Sequence, residues 1–120
     1  MAGRFPLYTD ADVYGPLLDG LIHRGWDVVR AVRIRPEGED DIIHFRLAAE
    51  QNRVLVACDH HQLRFALAWI DKGEPFRGYI TWKQKHHDHM RVGEFLEAFE
   101  ALAAEDNPFD YKIRYITPRR

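Results

Sequence analysis

The residues of this chain best placed to do chemistry are the aspartates Asp10, Asp41 and Asp59, with Asp12 two positions beyond the first and His61 two beyond the last. Carboxylates brought close together repel, and each has its pKa raised unless a cation neutralises the group. A hard divalent ion, Mg2+ or Mn2+, is the usual answer. Held by a few carboxylates and several waters, such an ion activates one water for in-line attack on a phosphodiester and stabilises the charge that develops. Each aspartate taken singly is also an ordinary turn former or helix cap. The argument therefore rests on their joint spacing.

Other residues invite other chemistry. His86, His87 and His89, with Asp88, lie in WKQKHHDHM; they offer donors for a transition metal, but a loop this irregular fixes no ligand geometry. The same stretch reads as a substrate contact. Lys83, Lys85 and Arg91 outnumber Asp88, and Trp82 at a strand end can either stack an unpaired base beside those cations or pack against the end of the sheet. His44 falls three residues after Asp41 on the same helical face, either near the acids or at the helix surface. Cys58 is the single cysteine, which excludes an internal disulfide and a cysteine-rich zinc site. With no His-Asp relay indicated around it, it reads as a buried structural thiol.

Strands and helices must bring these residues together, and apolar periodicity switches repeatedly between the two. Phe5 to Thr9 reads as a first strand stopping at Asp10; Leu17, Leu18, Leu21 and Ile22 mark the inner face of a helix that Gly25 ends. Asp27 to Val32 is a second strand, and Asp40 or Asp41 caps a helix carrying Ile42, Phe45 and Ala49 inward, with Asn52 as a left-handed stop. Arg53 to Cys58 has the unbroken apolar run of a central strand. Leu63, Ala66, Leu67 and Ile70 then take helical spacing up to Lys72-Gly73. Gly78 to Trp82 is a fourth strand, Val92 to Leu102 a fourth helix, and Tyr111 to Ile116 alternates like a half-exposed edge strand. Five strands alternating with four helices predict a three-layer α/β/α domain over residues 1–120 with a mainly parallel sheet. In such sheets the site lies outside the carboxyl ends of the strands. Asp10, Asp12, Asp59, His61, Trp82 and Lys83 all follow strand ends, and the helix starting near Asp41 opens on the same rim.

Composition sets outer bounds. The chain has 120 residues, 46% hydrophobic and 30% charged, a globular balance with no repeat or low-complexity tract. No apolar run approaches the roughly 20 residues of a membrane span, and the first residues lack the apolar stretch of a signal peptide. A cytoplasmic protein is expected. A formal charge of −2 disfavours a protein that coats nucleic acid by bulk charge and leaves a local basic patch open.

The joint pattern resembles a known family. LYTDADV, HRGWDVV and DDIIHFRLAAEQNRVLVACD look like the short bacterial PIN-like nucleases, which are related to PIN-domain toxin ribonucleases. In that family a strand ends in an aspartate with Asn or Asp two residues on, and a Gly-His-Asp-Val-like turn follows the first helix. An aspartate then starts a helix holding an alanine seven residues later, and a strand-end aspartate comes eleven residues after that. Here these are Asp10 and Asp12, Gly25-Trp26-Asp27-Val28, Asp41 with Ala48, and Asp59. The resemblance covers about residues 5–65 and implies an endoribonuclease whose carboxylates Asp10, Asp41 and Asp59 bind Mg2+ or Mn2+, with Asp12 and His61 as further contributors. It implies an antitoxin partner and often a homodimer. One departure bears on the metal: the family usually continues Thr-x-Asp-x-Asp-Phe, whereas this chain has His61 in place of the second aspartate. Imidazole ligates Mn2+ or Zn2+ but suits Mg2+ poorly.

Two readings from other classes stand beside this one. Paired acids after strand one, Asp59 after strand three and Thr81 after strand four also resemble a receiver domain, a Mg2+-dependent phospho-acceptor. Receivers carry Lys-Pro after the fifth strand, where this chain has Ile116-Thr117-Pro118. Loss of the second strand-end aspartate also fits a degenerate PIN-like protein that only binds a partner.

Overall fold

The computed structural model describes residues 3–10, 13–31, 40–58, 60–83 and 90–117, with Asp40, Asp41, His60 and His61 described by backbone only. Along the chain run β1 (Leu7–Thr9), α1 (Gly15–His23), β2 (Val28–Arg30), α2 (Asp40–Glu50), β3 (Val54–Val56), α3 (His60–Lys72), β4 (Tyr79–Thr81), α4 (Val92–Ala104) and β5 (Ile113–Tyr115). The strands form one sheet in the order 2-1-3-4-5, and every neighbouring pair is parallel. The α/β alternation and the parallel sheet expected from the periodicity are therefore present. Val54–Val56 is the middle strand and buried throughout, as its apolar run predicts. The outer strand β5 has Ile113 buried and Tyr115 exposed. Among the described residues no helix is long and apolar enough to cross a membrane.

Side-chain alternation along each strand divides the core in two. Leu7, Val54, Val56 and Ile80 face α1 and α4, meeting Leu17, Leu21, Phe95 and Phe99. Tyr8, Leu55, Tyr79 and Ile113 face the other way, with Phe45 and Ala48 of α2, Ala66 of α3, and Phe76. Helices thus cover both faces. Each large apolar side chain so buried contributes about 1.5–3 kcal/mol. Helix ends fall where the residue types allow: Gly25 has φ +92° and Gly73 φ +71°, and Asn52 takes φ 54° just beyond α2.

Three expectations about helix faces need correction. On α1, Ile22 is 54% exposed and the inner face is Leu17, Leu18 and Leu21. On α2, Ile42 and Ala49 are only half-buried, while His44, Phe45 and Ala48 are buried. On α3, Leu67 and Ile70 are 52% and 45% exposed, whereas Gln62 and Ala66 are fully buried. Aromatic area explains the turn of α3. Trp69 sits in the cluster where it meets Phe45 at 4.9 Å and Phe76 at 6.3 Å between ring centroids, and burying an aromatic of this size outweighs burying Leu67. The strands are also shorter than the apolar runs. Pro6, which has no N–H, precedes β1, although its carbonyl still accepts the amide of Val54 at 2.9 Å.

Candidate functional site

Parallel crossovers deliver the end of every strand and the start of the following helix to one rim of the sheet. At this carboxyl rim the strand order reverses between β1, which leads to β2 on one side, and β3 on the other. Open α/β sheets place their ligands in the crevice at such a point. Asp10 stands there. Its amide donates to the carbonyl of Val56 at 2.9 Å, one step beyond the β1–β3 ladder, and its carbonyl accepts the amide of Val13 at 3.1 Å as the chain turns into α1. The residue is only 6% exposed.

Asp10 is not the only polar residue buried at this rim. Thr9 ends β1, Thr81 ends β4, His44 lies in the first half of α2 and Gln62 in the first turn of α3; each is 4% exposed or less. Thr9, Asp10, His44, Gln62 and Thr81 thus all lie at or just past the carboxyl end of a strand or in the amino half of a helix. The four helices also start at this rim, and their N-terminal dipoles favour negative charge there.

Of the expected site residues, the structure describes some and not others. Asp12, Asp59, Lys85 and the His86, His87, Asp88 and His89 run lie outside the described residues. Asp41 is placed by its backbone in the first turn of α2, and His61 likewise in α3. Among the described residues no group of three His, Cys, Asp or Glu side chains could hold a metal ion. The cations Lys83 and Arg91 are exposed at the rim, one after β4 and one as the residue preceding α4. The amide of Arg91 donates to Glu94 Oε1 at 3.3 Å.

Two residues take roles other than those that would contact a ligand. Trp82 is 3% exposed, with its ring packed on Phe95 at 5.0 Å between centroids. Of the two readings open in the sequence, the indole follows the packing one; stacking on a base would require pulling it out of the core. His44 is neither at the helix surface nor turned to solvent. At 2% exposure its Nδ1 lies 2.7 Å from the hydroxyl of Tyr8. Cys58 packs against the α1/α4 core, half-buried, and its thiol donates to the carbonyl of Trp82 at 3.7 Å.

Tyr8 and Gln62 escape sequence reasoning. The signal that could have found them is parity. Tyr8 and Leu55 share a sheet face, so a hydroxyl at position 8 must find a partner among the α2 and α3 side chains, and Gln62 falls in the first turn of the helix that follows β3. Cavities also lie elsewhere, one of about 470 Å3 beside Arg46, Glu50, Trp69 and Lys72. Another of about 270 Å3 at the opposite rim is bordered by Arg4, Arg77, Asp106 and Asn107, but Arg4 is paired with Glu100 and Arg77 donates to the carbonyl of Asn52. Comparison with family models, with curated proteins and with solved structures finds no match to this chain.

Proposed function

We propose that this chain is a PIN-like endoribonuclease of the toxin-antitoxin type, dependent on Mg2+ or Mn2+ and acting in the cytoplasm on an RNA substrate. The observation that carries the reading is Asp10, a carboxylate 6% exposed in the crevice where the strand order reverses. Asp10, Asp41 and Asp59, with Asp12 and His61 as further contributors, form a donor set rich in hard oxygen, which suits Mg2+ or Mn2+. Such an ion, when bound, supplies an activated water and a counter-charge for the phosphodiester. The chain's own part is to hold the RNA. Lys83 and Arg91 stand exposed at the same rim, and with Lys85 they bind the phosphates on either side of the cut. The resemblance to toxins adds an antitoxin and a second copy of the chain as proposed partners. A catalytically degenerate binder is the outcome if the acids prove inert.

The test is cleavage of single-stranded RNA by the purified chain with Mn2+ or Mg2+, set against EDTA and against Asp10→Asn. Cutting should require the ion, and Asp10→Asn should lower the rate by about a hundredfold or more through loss of ligand charge. Cutting that persists in Asp10→Asn would place the activity at another site. Lys83→Glu should weaken RNA binding most at low salt and leave ion binding nearly unchanged.

A receiver-like phospho-acceptor is the second reading, favoured by a specific observation. The order 2-1-3-4-5 is that of flavodoxin-like and receiver sheets, and Thr81 is buried at the end of β4. In that case a small phosphodonor would label Asp59, and RNA would have no effect.

A further inference from the structure

Tyr8 and His44 form a buried polar pair that the proposed chemistry does not use. Tyr8 is 3% exposed, His44 2%, the hydroxyl lies 2.7 Å from Nδ1, and the rings are tilted at 44° with centroids 5.8 Å apart. An apolar pair of the same shape would pack there at nearly equal stability, because the gain from one internal hydrogen bond is small once lost hydration is counted. What a hydrogen bond adds is direction. Apolar contacts leave a helix free to slide and turn over a sheet, whereas a bond with fixed length and angle sets both its height and its rotation.

The two elements joined are the ones that carry Asp10 and Asp41. Asp10 lies two residues beyond Tyr8, about 6–7 Å further along the strand at about 3.3 Å per residue. Asp41 lies three residues before His44, about 4–5 Å along the helix axis at about 1.5 Å per residue. Since α2 runs back from the carboxyl rim, both displacements point toward that rim. The backbones of Asp10 and Asp41 therefore stand at similar heights above a single bond.

We propose that the Tyr8–His44 hydrogen bond is a positioning device that holds the amino end of α2 against the end of β1, so setting the spacing of the Asp10 and Asp41 backbones for a divalent ion. The proposal rests on the nuclease reading for its ion and on the geometry for its placement. Tyr8 and His44 are positioning residues and touch neither ion nor substrate.

Hydrogen–deuterium exchange and Mn2+ calorimetry on the full chain test it with three variants. Tyr8→Phe removes only the hydroxyl, His44→Leu removes the ring nitrogens, and His44→Asn keeps a polar atom close to the place of Nδ1. Tyr8→Phe and His44→Leu should raise exchange about tenfold in the first two turns of α2, with β4 and α4 unchanged. They should also weaken Mn2+ binding about tenfold, and His44→Asn should restore both. Unchanged exchange, or a rise spread evenly through β4 and α4, would overturn the proposal by reducing the pair to ordinary packing. So would local loosening with Mn2+ affinity intact. A wild-type chain that takes up no Mn2+ would instead overturn the nuclease reading, and the exchange pattern would still decide whether the bond holds α2 to β1.

Discussion

The two rims of the sheet are built from different materials. At the amino rim Phe5 meets Trp26 and Phe109 edge-to-face at 5.1 and 5.0 Å, and Trp26 meets Phe99 at 5.8 Å. Polar groups there are closed by partners: Trp26 Nε1 donates to Glu100 at 2.8 Å, Arg53 pairs with Asp27 at 3.0 Å, and Arg114 grips Glu105 at 2.8 and 2.9 Å. The carboxyl rim buries Thr9, Asp10, His44, Gln62 and Thr81, with His44 bonded to Tyr8. Polar groups are costly to bury and contribute little net stability. Aromatic packing and paired charges mark the amino end of the strands, and buried polar side chains mark the carboxyl end.

Removing an aromatic from the amino end should produce the largest effect. Phe99 is fully buried on α4, and Phe99→Ala should cost about 3–5 kcal/mol, measured as a lower urea midpoint with unchanged slope. The corresponding change at the polar end is Thr81→Val, which deletes a buried hydroxyl at nearly constant shape. It should shift stability by less than about 1 kcal/mol in either direction. A loss above about 2 kcal/mol would show that the carboxyl rim is structural after all, and the contrast between the rims would break.

The smallest effect is electrostatic. The hydrogen bond from Arg114 holds the Glu105 carboxyl below its ordinary value of 4.5, outweighing the upward pull of desolvation, and charge attraction adds to it. A carboxyl whose pKa is lower in the folded chain contributes stability that is complete above its unfolded value and is lost as pH falls through the folded one. Glu105→Gln should therefore cost about 0.5 kcal/mol at neutral pH, the pair being largely exposed. The difference between variant and wild type should close as the medium is acidified below 4.5, which parallel urea titrations at the two pH values would measure. A gap that persisted in acid would assign the cost to lost packing instead.

Elements and their types were legible because periods of two and 3.6 leave local marks. The middle place of Val54–Val56 was legible from its unbroken apolar run, which only a strand covered on both faces can bury. The order of the remaining strands was not, since the same faces serve either neighbour. Helix rotation failed on α3 because spacing weighs Leu67 and Trp69 alike, whereas packing selects the larger surface. At the candidate site, Asp10 could be read from its position after β1, and its rim followed from the crossover rule. His44 was visible as a residue near Asp41, but its partner is 36 positions away in the chain, and no local pattern announces a bond of that separation.

The central position of β3 also shapes how the chain must assemble. Leu7 pairs with Val54 and Leu55 with Tyr79, so the middle of the sheet joins segments separated by well over a third of the chain on one side and by a whole helix on the other. Parallel pairing of this kind pays its loop-closure entropy before its contacts form, which slows folding relative to a helical bundle of equal length. During synthesis from the N-terminus β1 has only β2 as a neighbour until the segment around Val54 emerges, and its other edge waits unpaired. An exposed strand edge is where a nascent chain meets other chains. The strand that leads into Asp10 thus passes through a stage of vulnerability to aggregation before the crevice beside it can exist.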